Sequence, residues 1–523
     1  MRVRPTAVLA QLPFAGVLAV AIWIRVVAVR GYPAPRWSGD SAGYLDSALK
    51  LQPGETRPSG YSFLLWALKP FHSFTVVVAV QHAIGVLAGV LVYLLVWRAA
   101  RAGWPLGGEE RRAGRWAWRD FVPGLLAAAV TVPVLLDSYQ ISLEHMLMSD
   151  SFFTFLLVAA VTAALWRRRS TWWLGALAGL FAAFAAVTRS AGLPLVAVIL
   201  VGMLLRRAGW RALVAVVIAF VLPLGGYMYW FKQVHGEFAV TKAGSIWIYG
   251  RTAAFADCAK IKPSPELRIM CPKDSNPQIA PAFAVLWTDD SPFHRIPGWI
   301  TGDEANRLSS EFTKQAIEKQ PGDYARVVFR DTWRSFDWKR EPYPTPWTWL
   351  EYVFPQGESW DDEQALEAVK YDPSGGETKV VRPWAGTMLS YQHRMSMPGT
   401  VLGLVLLGGL VLALPHVGRR GTRWRFLGPV RHWGTGPLMP WGMGLALLVI
   451  PAATADFDYR YVLPAVPFAC IALGLALVPQ PRRVREEPAE AEDGGDDGGW
   501  TRRRIVALSR RAGTLARDRV KAS

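Results

Sequence analysis

The stretch at residues 75–96 reads TVVVAVQHAIGVLAGVLVYLLV, and Trp97 and Arg98 follow it. It contains no Asp, Glu, Lys or Arg. At about 1.5 Å of rise per residue, a helix over this stretch is long enough to cross the roughly 30 Å hydrocarbon core of a bilayer. We therefore interpret it as a transmembrane helix, with Arg98 at the start of a loop outside the bilayer core.

Nine further apolar runs lie on either side of this stretch. Several are shorter than the roughly 20 residues that a full crossing needs, so their boundaries are set only to within several residues. The 523 residues would suffice for several soluble domains, but hydrophobic residues make up 51% of them and are gathered in runs. The sequence predicts a mostly α-helical membrane protein with about ten transmembrane helices. The nine runs are residues 7–28, 121–136, 151–165, 172–187, 193–205, 212–230, 401–415, 436–450 and 462–478.

The first run follows a basic start, Arg2 and Arg4, as a signal peptide would. It is interrupted only by Arg25 and reaches Val29 without a small-residue cleavage site, so we expect an uncleaved first span. Arg25 lies close enough to the end of this run for its side chain to snorkel outward.

The basic loops predict the orientation. Arginine clusters follow every second run, while the short connections between them are nearly free of Lys and Arg. The positive-inside rule therefore places the basic loops and both termini in the cytoplasm. The net charge of +17 would also suit a nucleic-acid binder, but this distribution favours membrane orientation, and we expect no nucleic-acid partner. The clusters begin at Arg98, Arg167, Arg206, Arg419 and Arg482.

Four domains follow from this orientation. They are an N-terminal transmembrane half with outer loops, an extracytoplasmic mixed domain, a C-terminal group of transmembrane helices and a cytoplasmic tail. Their predicted boundaries are residues 1–231, 232–398, 399–480 and 481–523.

Local patterns add detail to the outer domain and the tail. Residues 301–304, Thr-Gly-Asp-Glu, predict a capping box that opens a helix to about Gln320. Residues 324–336 show helical spacing of apolar side chains and are expected along the membrane interface. The tail is acidic and Gly-rich, which predicts disorder, and its basic amphipathic end at residues 500–521 is expected on the inner leaflet.

Two of the three cysteines, Cys258 and Cys271, fall in the predicted outer domain. Disulfides persist in that compartment, so we expect these two to be bridged. The third, Cys470, lies in an apolar run and is expected to be a small core residue.

Polar residues gather in short motifs at the predicted outer ends of the spans. Carboxylates there can accept protons, and arginine can bind phosphate through two hydrogen bonds while staying charged near lipid. Nothing in the chain has structural-zinc spacing, a P-loop or a nucleophile elbow. The motifs are Trp37-Ser-Gly-Asp40-Ser-Ala-Gly-Tyr44, Arg57-Pro-Ser-Gly60-Tyr61, Leu143-Glu-His-Met-Leu-Met-Ser-Asp150, Thr188-Arg189 and Asp458-Tyr-Arg-Tyr-Val-Leu-Pro464.

In their order and on their predicted side of the membrane, these motifs resemble the GT-C glycosyltransferases. The similarity is greatest to the branch containing the protein O-mannosyltransferases and the lipid A aminoarabinose transferase. That branch has an acidic residue in the first outer loop, an Arg-Pro-x-Gly-Tyr entry to the next helix, an arginine turn and a final Arg-Tyr-x-x-Pro element. Ser41 stands where the family often has a second acidic residue. The resemblance covers the membrane half and not residues 232–398.

The resemblance implies a GT-C-like bundle that transfers a sugar, with inversion, from a polyprenyl-phosphate carrier at the outer face of the cytoplasmic membrane. The acceptor could be a protein, a glycan or a lipid. Asp40 is the candidate base for the acceptor hydroxyl, and Glu144 or Asp150 would orient it or replace it. No cofactor is implied, and a divalent metal is left open. Arg189 and Arg460 are assigned to the donor phosphate. The full set of candidate substrate-binding residues is Tyr44, Arg57, Tyr61, His145, Arg189, Tyr459 and Arg460.

Other interpretations account for some of these residues. Asp40 or His145 could be a solvated loop residue, Asp150 a helix cap, and Arg189 and Arg460 snorkelling arginines. A transporter or lipid flippase would need charged or broken helices near mid-membrane, but the spans are nearly free of charge. A non-catalytic envelope-assembly protein would leave Asp40 and Arg189 without a joint task. The sequence therefore favours a membrane glycosyltransferase.

Overall fold

The computed structural model of the chain describes residues 9–104, 121–167, 170–273, 276–357, 368–414 and 436–479. The predicted cytoplasmic tail at 481–523, with its amphipathic end at 500–521, lies outside the described residues. So do the clusters that begin at Arg419 and Arg482.

The described residues are organised as α-helices, which we number in chain order. Short 3₁₀ turns join several of them, and no β-strand is present in the described ranges. The first ten helices are α1 Leu12–Gly31, α2 Ser41–Lys50, α3 Gly60–Leu68, α4 Phe74–Gly103, α5 Val122–Leu136, α6 Ser138–His145, α7 Asp150–Leu165, α8 Trp172–Thr188, α9 Leu195–Leu205 and α10 Trp210–His235. The others are α11 Gly244–Thr252, α12 Cys258–Ile261, α13 Pro281–Trp287, α14 Asp303–Lys319, α15 Pro321–Arg334, α16 Pro346–Glu351, α17 Trp384–Gln392, α18 Gly399–Ala413, α19 Leu438–Thr454 and α20 Ala465–Ala476.

Four helical segments in the described part of the chain are long and apolar enough to cross a membrane: α1, α4, α10 and residues Tyr459–Ala476. A fifth is available if α5 and α6, which meet at a bend of 51°, form one broken span. The other predicted runs coincide with apolar helices of 10–17 residues, among them α7, α8 and α19. The chain is therefore a mostly helical, multi-pass membrane protein, and the count of ten spans stays a prediction.

Small residues allow the helices of the bundle to approach closely. Gly175 and Gly179 lie on α8 against α10, where a Cβ atom would come within 2.4 Å of the Ala212 carbonyl oxygen and 2.2 Å of the Val216 carbonyl oxygen. Close backbone packing of this small-xxx-small kind stabilises membrane helices, which gain little from the hydrophobic effect inside lipid. The opposite face of α10 exposes apolar side chains, as a lipid-facing surface would: Val214, Val217, Ile218, Val221 and Leu222.

In the described part of residues 232–398, α-helices and 3₁₀ turns alternate with loops and no β-strand is present, so the expected mixed domain is not confirmed. Their core includes Tyr249, Phe293 and Phe312, and a disulfide joins Cys258 to Cys271 beside it. Cys470, the third cysteine, is buried in the membrane bundle.

The predicted capping box is wrong in detail. The helix does run to Lys319, but it begins at Asp303 with Gly302 as its N-cap, and no side chain caps it. Thr301 instead belongs to the preceding 3₁₀ turn, and its hydroxyl donates to the carbonyl oxygen of Gly298 at 3.4 Å.

Helix α15 covers most of the stretch expected at the membrane interface. Phe329 and Trp333, one turn apart on this helix, are 67% and 61% exposed. The helix also packs on the membrane bundle, since the Tyr324 hydroxyl donates to the Ala453 carbonyl oxygen at 3.0 Å. Its contact with lipid stays a prediction.

Candidate active site

Hydrogen bonds hold the first outer loop against the end of α6 and the segment that follows it. The Arg36 amide donates to the His145 carbonyl oxygen at 3.0 Å, and the Leu147 amide donates to the Arg36 carbonyl oxygen at 2.9 Å. The Ser41 hydroxyl donates to the Leu147 carbonyl oxygen at 3.0 Å. These bonds hold the start of α2, which carries Asp40, beside the start of α7.

Asp40 is the N-cap residue of α2, and guanidinium groups bind both of its carboxylate oxygens. Arg57 donates to Oδ1 from Nη2 at 2.7 Å and from Nε at 3.1 Å. Arg460, 420 residues away in the chain, donates to Oδ2 from Nη1 at 3.1 Å. Burial alone would raise the pKa of Asp40, but Arg57, Arg460 and the more distant Arg189 together lower it well below its usual value. In this arrangement Asp40 is a weak base.

Arg189 sits at the other side of the same cluster and forms an ion pair with Asp150. The Arg189 Nη1 atom lies 2.5 Å from Asp150 Oδ1, and the Asp150 side chain is fully buried in the first turn of α7. The helix N-terminus also favours this carboxylate. Asp150 does not cap α7, because Ser149 occupies the N-cap position. Asp150 Oδ2 accepts no hydrogen bond from the described residues.

Arg460 is oriented by a second carboxylate. Its Nε atom lies 3.1 Å from Asp458 Oδ2, and the Tyr352 hydroxyl bonds the two Asp458 oxygens at 2.7 and 2.8 Å. Burial raises the pKa of Asp458 although Arg460 lies alongside. The ring of Tyr461 lies near both arginines, with its centroid 5.2 Å from the guanidinium carbons of Arg189 and Arg460.

A glycine brings two of the predicted motifs together. Gly60, at the start of α3, packs on the end of α8, where a Cβ atom would come within 2.4 Å of the Thr188 hydroxyl and 2.7 Å of the Val187 carbonyl oxygen. This close approach sets the loop of Arg57 beside the turn of Arg189. Close packing against α8 thus explains why the Arg-Pro-x-Gly-Tyr element has a glycine at this position.

The tyrosines of the candidate set occupy different places. Tyr44 is in the site, one helical turn after Asp40, and its hydroxyl lies 2.9 Å from Ser149 Oγ. Tyr61 is fully buried behind it, with ring centroids 5.1 Å apart. Tyr459 is buried under the 341–349 segment, where its hydroxyl accepts from the Glu341 amide at 2.9 Å.

Glu144 and His145 lie apart from Asp40, in a buried network inside the bundle. Arg25 donates to the two Glu144 oxygens at 2.7 and 2.8 Å, and also to the Leu135 carbonyl oxygen at 2.9 Å. His82 Nδ1 lies 2.9 Å from Glu144, and its Nε2 lies 3.0 Å from His145 Nδ1. The snorkelling expected of Arg25 is wrong, because the ion pair with Glu144 holds its side chain in the protein interior.

The outer segment supplies site residues that no motif marked. Trp247 of α11 stacks on Arg57, whose guanidinium carbon lies 4.2 Å from the ring centroid. Glu351 and Tyr352 enter from the end of α16, and Tyr352 bonds Asp458 as described above. Burial raises the pKa of Glu351 to about 7, with Asp458 and Asp40 adding to the rise and Arg460 opposing it. Their positions depend on tertiary packing of short stretches around residues 247 and 351, which carry no periodic signal.

The assembled site is an outer cluster of Asp40, Asp150 and Asp458 interleaved with Arg57, Arg189 and Arg460. Each guanidinium has five N–H donors, so an arginine that already binds a carboxylate retains donors for an incoming anion. No group of three or more His, Cys, Asp or Glu side chains in the described ranges is arranged to hold a metal ion. The cluster can bind an anionic group among cations and still offer carboxylates for proton transfer.

No protein-family model and no curated protein match the chain. Similar solved structures include the S. cerevisiae protein O-mannosyltransferase Pmt1–Pmt2 complex bound to the sugar donor, at 14% identity and a TM-score of 0.32. That match covers 52% of this chain and spans only 38% of the other. ArnT from Cupriavidus metallidurans is also similar, both bound to undecaprenyl phosphate (12% identity, TM-score 0.32, 89% of this chain and 75% of that chain) and in the apo state (13%, 0.33, 89% and 77%).

Both are members of the GT-C superfamily, the group that the sequence motifs resemble.

Proposed function

We propose that the chain is a membrane glycosyltransferase that takes a sugar from a polyprenyl-phosphate carrier at the outer face of the cytoplasmic membrane. One observation carries the proposal: three arginines from separate parts of the chain, Arg57, Arg189 and Arg460, converge around Asp40. In this proposal residues 1–231 and 399–480 form the membrane part, and residues 232–398 cover the site from outside.

The converging arginines suit a phosphate leaving group. When the bond between the sugar and the phosphate breaks, the phosphate gains negative charge, and cations that are already in place stabilise that charge in the transition state. Arginine binds phosphate through two parallel hydrogen bonds and keeps its charge near lipid. Arg189 and Arg460 share the Tyr461 ring and can therefore act on one phosphate group.

The reaction would proceed by a single displacement. The acceptor oxygen attacks the anomeric carbon from the side opposite the phosphate, so a new carbon–oxygen bond forms as the old one breaks and the configuration inverts. The acceptor proton passes to a carboxylate of the site. Asp40 is the candidate that the sequence supplies for this task. The acceptor, whether protein, glycan or lipid, would approach from the side of residues 232–398.

One structural feature is of the kind that transporters use, namely the buried Arg25–Glu144 pair. Ionisable residues inside membrane bundles often mark transport pathways. Here, however, Glu144 is saturated: Arg25 and His82 bind its carboxylate, and Gln140 approaches it at 3.4 Å. A saturated network offers no free group to a substrate, so this feature does not favour transport.

Substrate consumption tests the proposal. The purified protein, in lipid nanodiscs, is incubated with a panel of radiolabelled polyprenyl-phosphate sugars, mannosyl and arabinosyl carriers included. We expect loss of at least one labelled lipid, abolished in the Arg189→Gln/Arg460→Gln variant. Arg326→Gln, which alters an exposed arginine of α15, is the matched control and should be as active as the natural chain. A folded protein that consumes no member of the panel would contradict the proposal.

A further inference from the structure

A general base needs a lone pair that is free and a pKa near the pH at which the enzyme works. Asp40 does not meet the second condition in this structure. Arg57 occupies its Oδ1 atom and Arg460 its Oδ2 atom, and these contacts lower its pKa. On accepting a proton, Asp40 would lose the negative charge that pairs with Arg57 and Arg460, the cations that the departing phosphate needs.

Another carboxylate, that of Glu351, is held at the same site by its backbone. Helix α16, which Glu351 ends, begins with a cap in which the Thr345 hydroxyl accepts from the Thr348 amide at 3.1 Å. The Arg36 guanidinium donates to the Glu351 carbonyl oxygen. The next residue, Tyr352, bonds Asp458 through its hydroxyl. The backbone at Glu351 is thus pinned to the loop of Asp40 on one side and to the turn of Arg460 on the other.

The Glu351 side chain, in contrast, is unengaged. Its carboxylate forms no hydrogen bond and no ion pair with any side chain in the described ranges, although the residue is half-buried. The charged groups that face it are Arg36, Arg460, Asp40 and Asp458. Burial raises its pKa to about 7, so near neutral pH it can both accept and release a proton.

We propose that Glu351, rather than Asp40, is the general base that accepts the acceptor proton in the proposed glycosyl transfer. The hydroxyl oxygen of the acceptor bonds to the anomeric carbon, the bond from that carbon to the phosphate oxygen breaks, and its electron pair leaves with the polyprenyl phosphate. The hydroxyl proton moves to the Glu351 carboxylate. Asp40 then serves as a positioning residue that aligns Arg57 and Arg460 for the phosphate. This inference rests on the proposed function.

The test compares Glu351→Gln with Asp40→Asn, using a polyprenyl-phosphate sugar that the natural chain consumes. For Glu351→Gln we expect kcat to fall about 10²- to 10⁴-fold while donor affinity is unchanged. The natural chain should gain rate as pH rises through about 7, because the base form of Glu351 then accumulates, and this dependence should vanish in the variant. Asp40→Asn should weaken donor binding and keep the pH dependence.

Two further variants keep the result interpretable. Glu351→Asp retains a carboxylate and should restore part of the rate together with its rise with pH, which a merely structural role would not do. Glu318→Gln makes the same chemical change at an exposed position of α14 and should leave kcat unchanged. Thermal unfolding of each variant shows that it is folded.

The outcomes separate the two proposals. If the natural chain consumes a donor and Glu351→Gln retains its kcat and its pH profile, Glu351 is not the base, whereas the transferase function stands. If the natural chain consumes no donor, the function itself fails. In an activity-independent measurement, infrared difference spectroscopy of carboxyl groups across neutral pH, the signal of a carboxyl that titrates near pH 7 should be lost in Glu351→Gln, while the carboxyl of Asp456, whose pKa burial raises to about 6, should still titrate. Persistence of the signal near pH 7 in Glu351→Gln would also overturn the inference.

Discussion

The guanidinium groups of Arg189 and Arg460 approach one tyrosine ring from positions far apart in the chain. Each also keeps a carboxylate partner, Asp150 for Arg189 and Asp458 with Asp40 for Arg460. Two isolated snorkelling arginines would have no reason to share a ring or to bind buried carboxylates. Their geometry instead suits residues that hold one anion between them.

We predict that Arg189→Gln and Arg460→Gln each weaken the binding of undecaprenyl phosphate roughly ten- to a hundredfold. A charged hydrogen bond contributes about 1.5–3 kcal/mol, which corresponds to that loss. Because both residues would touch one phosphate, the effect of the double variant should differ from the sum of the single effects. Binding to protein in nanodiscs measures this, with Arg326→Gln as the control. Normal affinity in both single variants would leave the phosphate site unassigned.

We infer that the buried Arg25–Glu144 pair stabilises the fold and takes no part in proton transfer. Its two residues are 119 positions apart, and a glycine makes room for it: a Cβ atom on Gly85 would lie 2.0 Å from a Glu144 oxygen. Neither the contact nor the role of Gly85 follows from the sequence. An arginine near the end of an apolar run has the same local pattern whether it snorkels or pairs.

We predict that Glu144→Gln lowers the thermal unfolding midpoint, since it leaves Arg25 charged, buried and without an ionic partner. Breaking one side of a buried ion pair costs about 3–5 kcal/mol, whereas replacing both sides with apolar residues is often neutral. The Arg25→Met/Glu144→Met variant should therefore recover much of the loss. Unfolding in detergent micelles measures both, and Glu318→Gln is the surface control. A Glu144→Gln protein of unchanged stability that has lost turnover would instead support Glu144 as a catalytic residue.

At the scale of helices, the apolar runs predicted the membrane elements closely. The run at 75–96 corresponds to α4, Phe74–Gly103, and the run at 212–230 to α10, Trp210–His235. Hydrophobic length is a strong signal because every residue of a span contributes to it. Each of the five outer motifs also contributes a residue to one cluster, which contains Asp40, Arg57, Asp150, Arg189 and Arg460.

The outer segment was harder to predict. Helix α16 has only six residues, Pro346–Glu351, and no apolar periodicity marks its end as part of a site. Trp247 and Glu351 reach the arginines only through packing of the 232–398 segment against the membrane bundle. Glu144 and His145 show the converse case, since sequence proximity does not place them beside Asp40. They lie close to Asp150 in sequence, yet the bend between α5 and α6 carries them into the bundle interior.

We predict that Gly60→Ala weakens donor binding. The new methyl group would meet the backbone and hydroxyl of Thr188 and push α3 away from α8, which separates Arg57 from Arg189. Gly43→Ala is the matched control, because Gly43 lies on α2 close to the site and a Cβ atom there meets nothing within 4 Å. Undecaprenyl phosphate affinity should fall in the first variant and stay normal in the second. Equal affinity in both would show that the close approach at Gly60 does not set the spacing of the arginines.

At the scale of the whole molecule, arginines from the loops that we predict to be cytoplasmic lie at one end of the bundle. Arg98 donates to the Trp166 carbonyl oxygen at 2.9 Å, and Arg206 donates to the Ala164 carbonyl oxygen at 2.9 Å. Helix α7 connects this end to the site, because it begins at Asp150 and ends at Leu165. At 1.5 Å per residue its length separates the two ends by roughly 24 Å, most of a hydrocarbon core.

This separation makes the orientation testable with two introduced cysteines. Gly322, at the start of α15, and Gly209, between α9 and α10, are both exposed, and a Cβ atom at either meets nothing within 4 Å. The natural chain offers no competing thiol, since Cys258 and Cys271 are bridged and Cys470 is buried. In intact cells, a membrane-impermeant maleimide should label Gly322→Cys and leave Gly209→Cys unlabelled until the membrane is opened. Labelling of Gly209→Cys in intact cells, with Gly322→Cys protected, would place the arginine cluster on the cytoplasmic side and require a donor lipid presented from within.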